Sequence, residues 1–320
     1  MISPRRPATS PQPPATSDRL RALVSGNVIF VALAIECLVL AVATDAFLTP
    51  DNLSNVLRQN AFTAILAAGM TFVILTAGID LSVGSIVGLS GIVCASVLTR
   101  GHGVAAGVAA GLLTGVVVGV ANGVVITLVR IPPFIVTLAM MQVVRGAAFK
   151  YTDARTISGL PVSFAALSGT ASTFAIMAVV FACAWMALTR TPFGRYVYAI
   201  GGNRDAAWLS GVHVTRLVAA VYVVSGFTAG LAGVLVASRL SAGYPRAGEF
   251  YELDAIAAVV VGGTSLFGGR GSIWGALAGA FFIGILNNGL NLYRVSTYDQ
   301  MIVKGAVLLA AASLDRWRRS

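Results

Sequence analysis

The chain has 320 residues, of which 57% are hydrophobic and only 11% charged, and its mean hydropathy is +0.85. Soluble domains carry about 25% charged residues, so this composition excludes an ordinary water-soluble enzyme and predicts an all-α, polytopic integral membrane protein. The net charge of +10 comes from arginines spread over short loops, with no dense basic stripe interleaved with aromatics, which excludes a nucleic-acid partner.

Residues 1–26 are rich in Pro, Ser and Thr and carry Arg5, Arg6, Arg19 and Arg21. They have no apolar h-region behind the arginines and predict a disordered cytoplasmic tail rather than a signal peptide. Windows of about 20 apolar residues then predict one membrane domain over 27–314 with ten spans. These lie near 27–46, 60–78, 81–99, 103–129, 132–150, 171–189, 217–238, 251–266, 272–292 and 299–314. Residues 315–320 form a basic cytoplasmic C-terminus. An even number of spans puts both termini on one side. Placing that side in the cytoplasm leaves thirteen arginines inside against eight Arg and Lys outside, the bias expected of a multi-pass protein of the bacterial inner membrane. The weakest spans are the fifth, with Pro132, Pro133, Gln142 and Arg145, and the short eighth; a re-entrant path in one alone would break the parity. Cys37, Cys94 and Cys183 each sit in an apolar run without CxxC spacing and read as small buried hydrophobes. No metal or cofactor is implied.

Between the second and third spans, "TAGIDLSVGSIVGLSG" (76–91) interrupts the apolar run. It fits a tight turn in which Asp80 or Ser82 caps the next helix. It also fits an interrupted helix lining a pathway, since irregular backbone at membrane depth survives only where protein or a water-filled cavity satisfies it. "VGGTSLFGGRGSIWGALAG" (261–279) has a similar order of glycines, polar residues and a small-residue helix, and Gly119 with Asn122 recurs as Gly284 with Asn287. The two matches are offset differently along the chain, so an internal repeat would have gained or lost a hairpin. Small residues in "GVAAGLLTGVVVGVANG" (107–123) predict close helix packing in lipid.

The longest polar interruption after the tail is 190–216. Gly201 and Gly202 predict a turn, Asn203 an N-cap, Arg204–Ser210 two helical turns, and Gly211 the helix stop. An exposed short helix showing Arg204, Asp205 and Trp208 has the form of a docking knob; the same pattern fits a solvated loop.

"TAGIDLSVGSI", "IPPFIVTLAMM", "YAIGGNRDAAWLSGVHV" and "ELDAIAAVVVGGTSLFGGRGSIWGALAGAFFIGILNNGLNL" together resemble, in family order, the permease subunit of ribose-type monosaccharide ABC importers. The resemblance runs from about residue 45 to 314. It implies that Gly202, Asn203, Arg204, Asp205, Ala206, Ala207, Trp208 and Gly211 belong to a cytoplasmic coupling helix seated in a groove of the ATPase subunit. Arg204 stands where the family more often has an acidic residue and Trp208 where a basic one is common, which bears on the choice of ATPase. The implied partners are that ATPase, a periplasmic or lipid-anchored sugar-binding protein, a second permease copy (a homodimer), the sugar and membrane lipid.

The sequence holds no G-x-x-x-x-G-K-[ST], so the chain does not cradle ATP phosphates itself, and it shows no catalytic constellation. An ion-coupled secondary transporter is the alternative, because Glu36, Asp80 and Lys304 lie in or at predicted spans; Glu36 and Lys304 fit a mutual pair or snorkelling, and Asp80 a contact with Arg130 or Arg270. Polar groups expected on pathway helices or at the gate are Asn60, Asp80, Ser82, Asn122, Gln142, Asn287, Asn288 and Asn291, each of which also fits interhelical hydrogen bonding.

Overall fold

The computed structural model describes residues 16–317, with side chains from 28 to 313. Among them are thirteen α-helices and no strand: α1 (Thr16–Ala43), α2 (Pro50–Leu75), α3 (Val83–Thr99), α4 (Val104–Val124), α5 (Pro133–Thr152), α6 (Val162–Ala165), α7 (Thr170–Arg190), α8 (Pro192–Gly202), α9 (Arg204–Leu209), α10 (Val214–Leu240), α11 (Tyr251–Val261), α12 (Ile273–Leu292) and α13 (Thr297–Trp317). Each expected span coincides with one of these helices. Five, namely α2, α4 with its π-helical extension Val125–Val129, α7, α10 and α12, are long and apolar enough to cross a bilayer by themselves. The rest are shorter, like α3, or diluted by polar groups, like α5. Residues 16–26 of the expected tail belong instead to α1, because Pro14 is the last proline before it and no helix breaker of that kind recurs until Pro50. Residues 1–15 and 318–320, including half of the basic C-terminus, lie outside the described residues.

Local sequence chemistry sets the helix starts. Thr49 caps α2 by accepting from the Asn52 N–H at 3.4 Å, with Pro50 in the first turn, and Ser272 caps α12 in the same way. Gly107, Gly111, Gly115, Gly119 and Gly123 fall on one face of α4. A Cβ at Gly115 or Gly119 would overlap the carbonyl of Gly226 or Tyr222 on α10. The two backbones therefore touch, as the small-residue pattern predicts.

The expected loops separate onto two faces. One face carries 76–79, Arg130, 190–213 and 262–272. There the Leu75 carbonyl accepts from the Gly269 N–H at 2.9 Å, and the Tyr198 hydroxyl donates to the Gly271 carbonyl at 3.0 Å. The opposite face carries 44–49, 100–103, 153–169, 241–246 and 293–296, joined by the Ile157–Gly243 bridge, Tyr151 to Ser96 and Tyr293 to Ala43. α1 packs parallel to α12, with the C-terminal ends of both at the opposite face, and α13 begins at that face, so the start of α1 and the end of α13 both lie toward the face that carries α9.

Two spans are broken at depth. The segment 76–82 leaves the end of α2 and climbs into the bundle as irregular backbone before α3 begins; Asp80 and Ser82 are fully buried there. The stretch is therefore a turn buried inside the bundle between α2 and α3, and not a loop at the surface. From the other side, 241–250 dips inward without helix, and α11 then completes the crossing with 11 residues, ~16 Å of a ~30 Å core. The eighth span thus crosses, but half of it is not helix, and the even parity is kept. The N-terminal ends of α3 and α11 meet: Glu252 Oε2 and the Gly248 carbonyl occupy the space a side chain at Gly84 would need. Gly248 has φ +76° with Val87 Cβ only 2.8 Å from where its own Cβ would stand, a position that only glycine fills without strain. Arg145 on α5 holds this dip by donating to the Pro245 and Ala247 carbonyls at 2.8 and 2.9 Å, which answers the backbone's demand for partners away from water. As for the proposed repeat, Gly119 and Asn122 sit on α4, one helix beyond the first break, whereas Gly284 and Asn287 sit on α12, directly after the second turn.

Candidate functional site: a buried break, an outer cavity and a docking arm

Asp80 lies at the centre of the first break. Its Oδ1 accepts from the Ser82 N–H at 3.0 Å and from Ser82 Oγ at 2.6 Å, and its Oδ2 accepts from Ser225 Oγ at 2.7 Å. Asn122 Nδ2 on α4 donates to Ser82 Oγ at 2.8 Å. The network ties the break to α4 and α10 in a place where all four side chains are fully buried. It corrects two expectations. Asp80 closes a turn onto Ser82, and the Ser82 side chain does not cap α3. Nor does Asp80 meet a cation: Arg130 and Arg270 are exposed, and among the described residues the ion pairs are Arg246–Glu249 and Lys304–Asp254. The serine hydroxyls reach Asp80 from inside the bundle, and the arginine heads stay at the surface, where hydration is cheaper than burial.

Lys304 on α13 bonds Asp254 on α11 at 3.0 Å with both side chains largely buried, so it does not pair with Glu36. Both Glu36 carboxylate oxygens are buried on α1 without a hydrogen-bond partner.

The remaining polar candidates divide by location. A cavity of about 470 Å³ lies toward the opposite face between α2, α10, α11 and α12, closed on one side by 244–249; Asn60 and Asn287 are on its wall. Asn288 lies elsewhere, in a reciprocal amide pair with Asn52 at 2.7 and 3.1 Å. Asn291 accepts from Gln300 at 2.8 Å where α12 turns into α13. Gln142 is exposed on α5. Sequence reasoning missed Arg239 and Tyr251 on the cavity wall. The signal was "YPRAGEFYELD" (244–254), a polar stretch with Pro and Gly that leaves too short an apolar run behind it to span alone.

At the α9 face the segment 190–216 is mostly helical. Thr191 caps α8, with Pro192 at its first position. Gly201 and Gly202 are the last residues of α8 and not a turn, because Asn203 breaks the helix one residue later and caps α9, accepting from the Ala206 N–H at 2.9 Å. Gly211, at φ +84°, ends the short helix as expected. Ala207 is buried, while Trp208 and Leu209 are 66% and 77% exposed. Arg204, Asp205 and Trp208 share a cleft of about 460 Å³ with Arg130–Pro133. Gly201 touches backbone: a Cβ there would overlap the Leu75 carbonyl and the Gly269 N–H. The arm that carries α9 is therefore pressed against the end of α2, just before the Asp80 break, and against the α11–α12 turn.

The family model described as "Branched-chain amino acid transport system / permease component" matches residues 52–312. The ribose import permease protein RbsC of Bacillus subtilis is 48% identical over 294 residues, covering 90% of this chain and 91% of that protein. The protein of the same name in Escherichia coli K12 is 45% identical, covering 89% and 92%, and the D-allose transport system permease protein AlsC of that strain is 37% identical, covering 90% of each. No solved structure matches the chain. With a family match over most of its length and relatives this similar from end to end, the chain belongs to the ABC-importer permease family that contains the ribose permeases.

Proposed function

We propose that the chain forms the translocation pathway of an ABC importer for a monosaccharide, driven by a separate ATPase and supplied by a sugar-binding protein. It is a transport subunit and not an enzyme. The observation that carries this reading is the α8–α9 arm. Two large apolar side chains, Trp208 and Leu209, stand exposed on a short helix whose base is packed, backbone to backbone, on the two broken-span regions. A push on α9 has a rigid route to both. Residues 202–211 are the coupling surface, their face is cytoplasmic together with both termini, and the opposite face receives the binding protein. Two copies of the permease form the assembly, embedded in membrane lipid. The ion-coupled alternative draws on Asp80, Glu36 and Lys304; against it, Asp80 is held by two serines and Lys304 by Asp254.

The test is co-purification of the ATPase with the permease. Trp208→Ala combined with Leu209→Ala should leave membrane insertion unchanged, since the two side chains face water, and should abolish ATPase capture and sugar uptake. Normal capture by the double variant would remove α9 from the docking role.

A further inference from the structure

We infer that the cavity between α2, α10, α11 and α12 is a monosaccharide-binding station inside the permease, with Asn60 as hydrogen-bond donor and Asn287 as acceptor to the sugar hydroxyls. This rests on the importer reading and adds a site to it.

Two unmet polar atoms point to the ligand. Asn60 is 5% exposed, yet its Nδ2 has no hydrogen-bond partner, and the same holds for Asn287 Oδ1 on the same wall. Buried amide groups are almost always paired. An orphan donor and an orphan acceptor lining one cavity suit sugar hydroxyls, each of which both gives and accepts a hydrogen bond. Gly284 seats the donor, since a side chain there would overlap the Asn60 amide. Size agrees: about 470 Å³ lies in the ordinary range for small-molecule sites.

The walls also discriminate between ligand classes. Arg246 pairs with Glu249 and Asp254 with Lys304, so neither acid on the wall is left free to hold a cation, and Arg239 adds a donor for hydroxyl oxygens. Arg239 lies 5.7 Å over the Phe62 ring and Tyr251 adds a second aromatic, giving apolar surface for the C–H faces of a sugar. A branched-chain amino acid would set its aliphatic side chain against amides and charged groups, at the cost of their desolvation.

The experiment measures equilibrium binding of tritiated D-ribose, D-xylose and D-allose, with L-leucine as control, to the full-length permease in lipid nanodiscs. Wild type should bind at least one of the sugars and not leucine. Asn60→Asp, which removes the donor, should weaken binding about tenfold, whereas Asn287→Asp, which keeps the acceptor, should stay within about threefold. Gly284→Ala should weaken binding like Asn60→Asp, because it displaces the amide without altering any polar group; it provides the test if Asn60→Asp does not fold. Asn288→Ala, whose partner is Asn52, should bind as wild type. Unchanged binding in Asn60→Asp or Gly284→Ala, or equal loss in Asn288→Ala, overturns the assignment. If no sugar binds wild type while ATPase capture through α9 holds, the station falls and the importer stands. If sugar binds but no ATPase is captured, the importer reading falls and the cavity assignment stands.

Discussion

Asp80→Asn isolates the buried break. Ser82 presents a backbone N–H that cannot turn away, so the remaining carbonyl oxygen of the asparagine stays with Ser82 and its NH₂ group faces Ser225. The 2.7 Å bond from Ser225 must then reverse, and the second amide hydrogen has no partner in a fully buried site. One unpaired buried donor costs about 1–3 kcal/mol, and the bonds from Ser82 lose the extra strength that a charged acceptor gives. Removing the carboxylate also removes the cost of burying a charge, which offsets part of this. The net destabilisation is about 1–3 kcal/mol, read as a shift in equilibrium unfolding in mixed detergent micelles. Ser225→Ala should cost about 1.5–3 kcal/mol, the range for a hydrogen bond to a charged group, and the double variant should cost less than the sum by about 1–2 kcal/mol. Arg130→Ala and Arg270→Ala should fall within about 0.5 kcal/mol of wild type. Sugar uptake should fall in both Asp80→Asn and Ser225→Ala. Wild-type stability in Asp80→Asn, or an equal loss in Arg130→Ala, would refute the serine-held carboxylate.

Lys304→Met should destabilise the permease by about 1–3 kcal/mol by leaving Asp254 largely buried without its cation, less than for a fully buried pair because both groups retain some exposure; adding Asp254→Asn should recover most of that loss in the same unfolding assay. Reporter fusions after Thr189 and after Arg316 should both score cytoplasmic and one after Thr156 periplasmic; a cytoplasmic signal at Thr156 would contradict a full crossing by α5.

The sequence made the helices legible because apolar runs in lipid leave the backbone few alternatives. It also made α9 legible, since Asn203 and Gly211 are local signals that act within one turn. What it could not reveal depended on distant partners. Ser225 reaches Asp80 across 145 positions, and no local pattern marks one serine on α10 as the acceptor's partner. The helix α11 was drawn too long, to 266, because an apolar composition continues past Val261 while the backbone turns at Gly262 and Gly263 to pack against Gly275. Among the asparagines, sequence alone had no means to separate Asn287, left unpaired on the cavity wall, from its neighbour Asn288, bonded to Asn52. That difference arises from a ~100° rotation per residue on a helix with different neighbours on each side.

The most direct test of the central claim is sugar uptake into vesicles holding this permease, its ATPase and its binding protein, measured with ATP, with a non-hydrolysable analogue, and with proton and sodium ionophores. A sugar importer coupled through α9 predicts uptake that requires hydrolysable ATP, is indifferent to the ionophores and is lost when Trp208 and Leu209 are both alanine; uptake that proceeds without ATP and collapses with the ion gradient would contradict it.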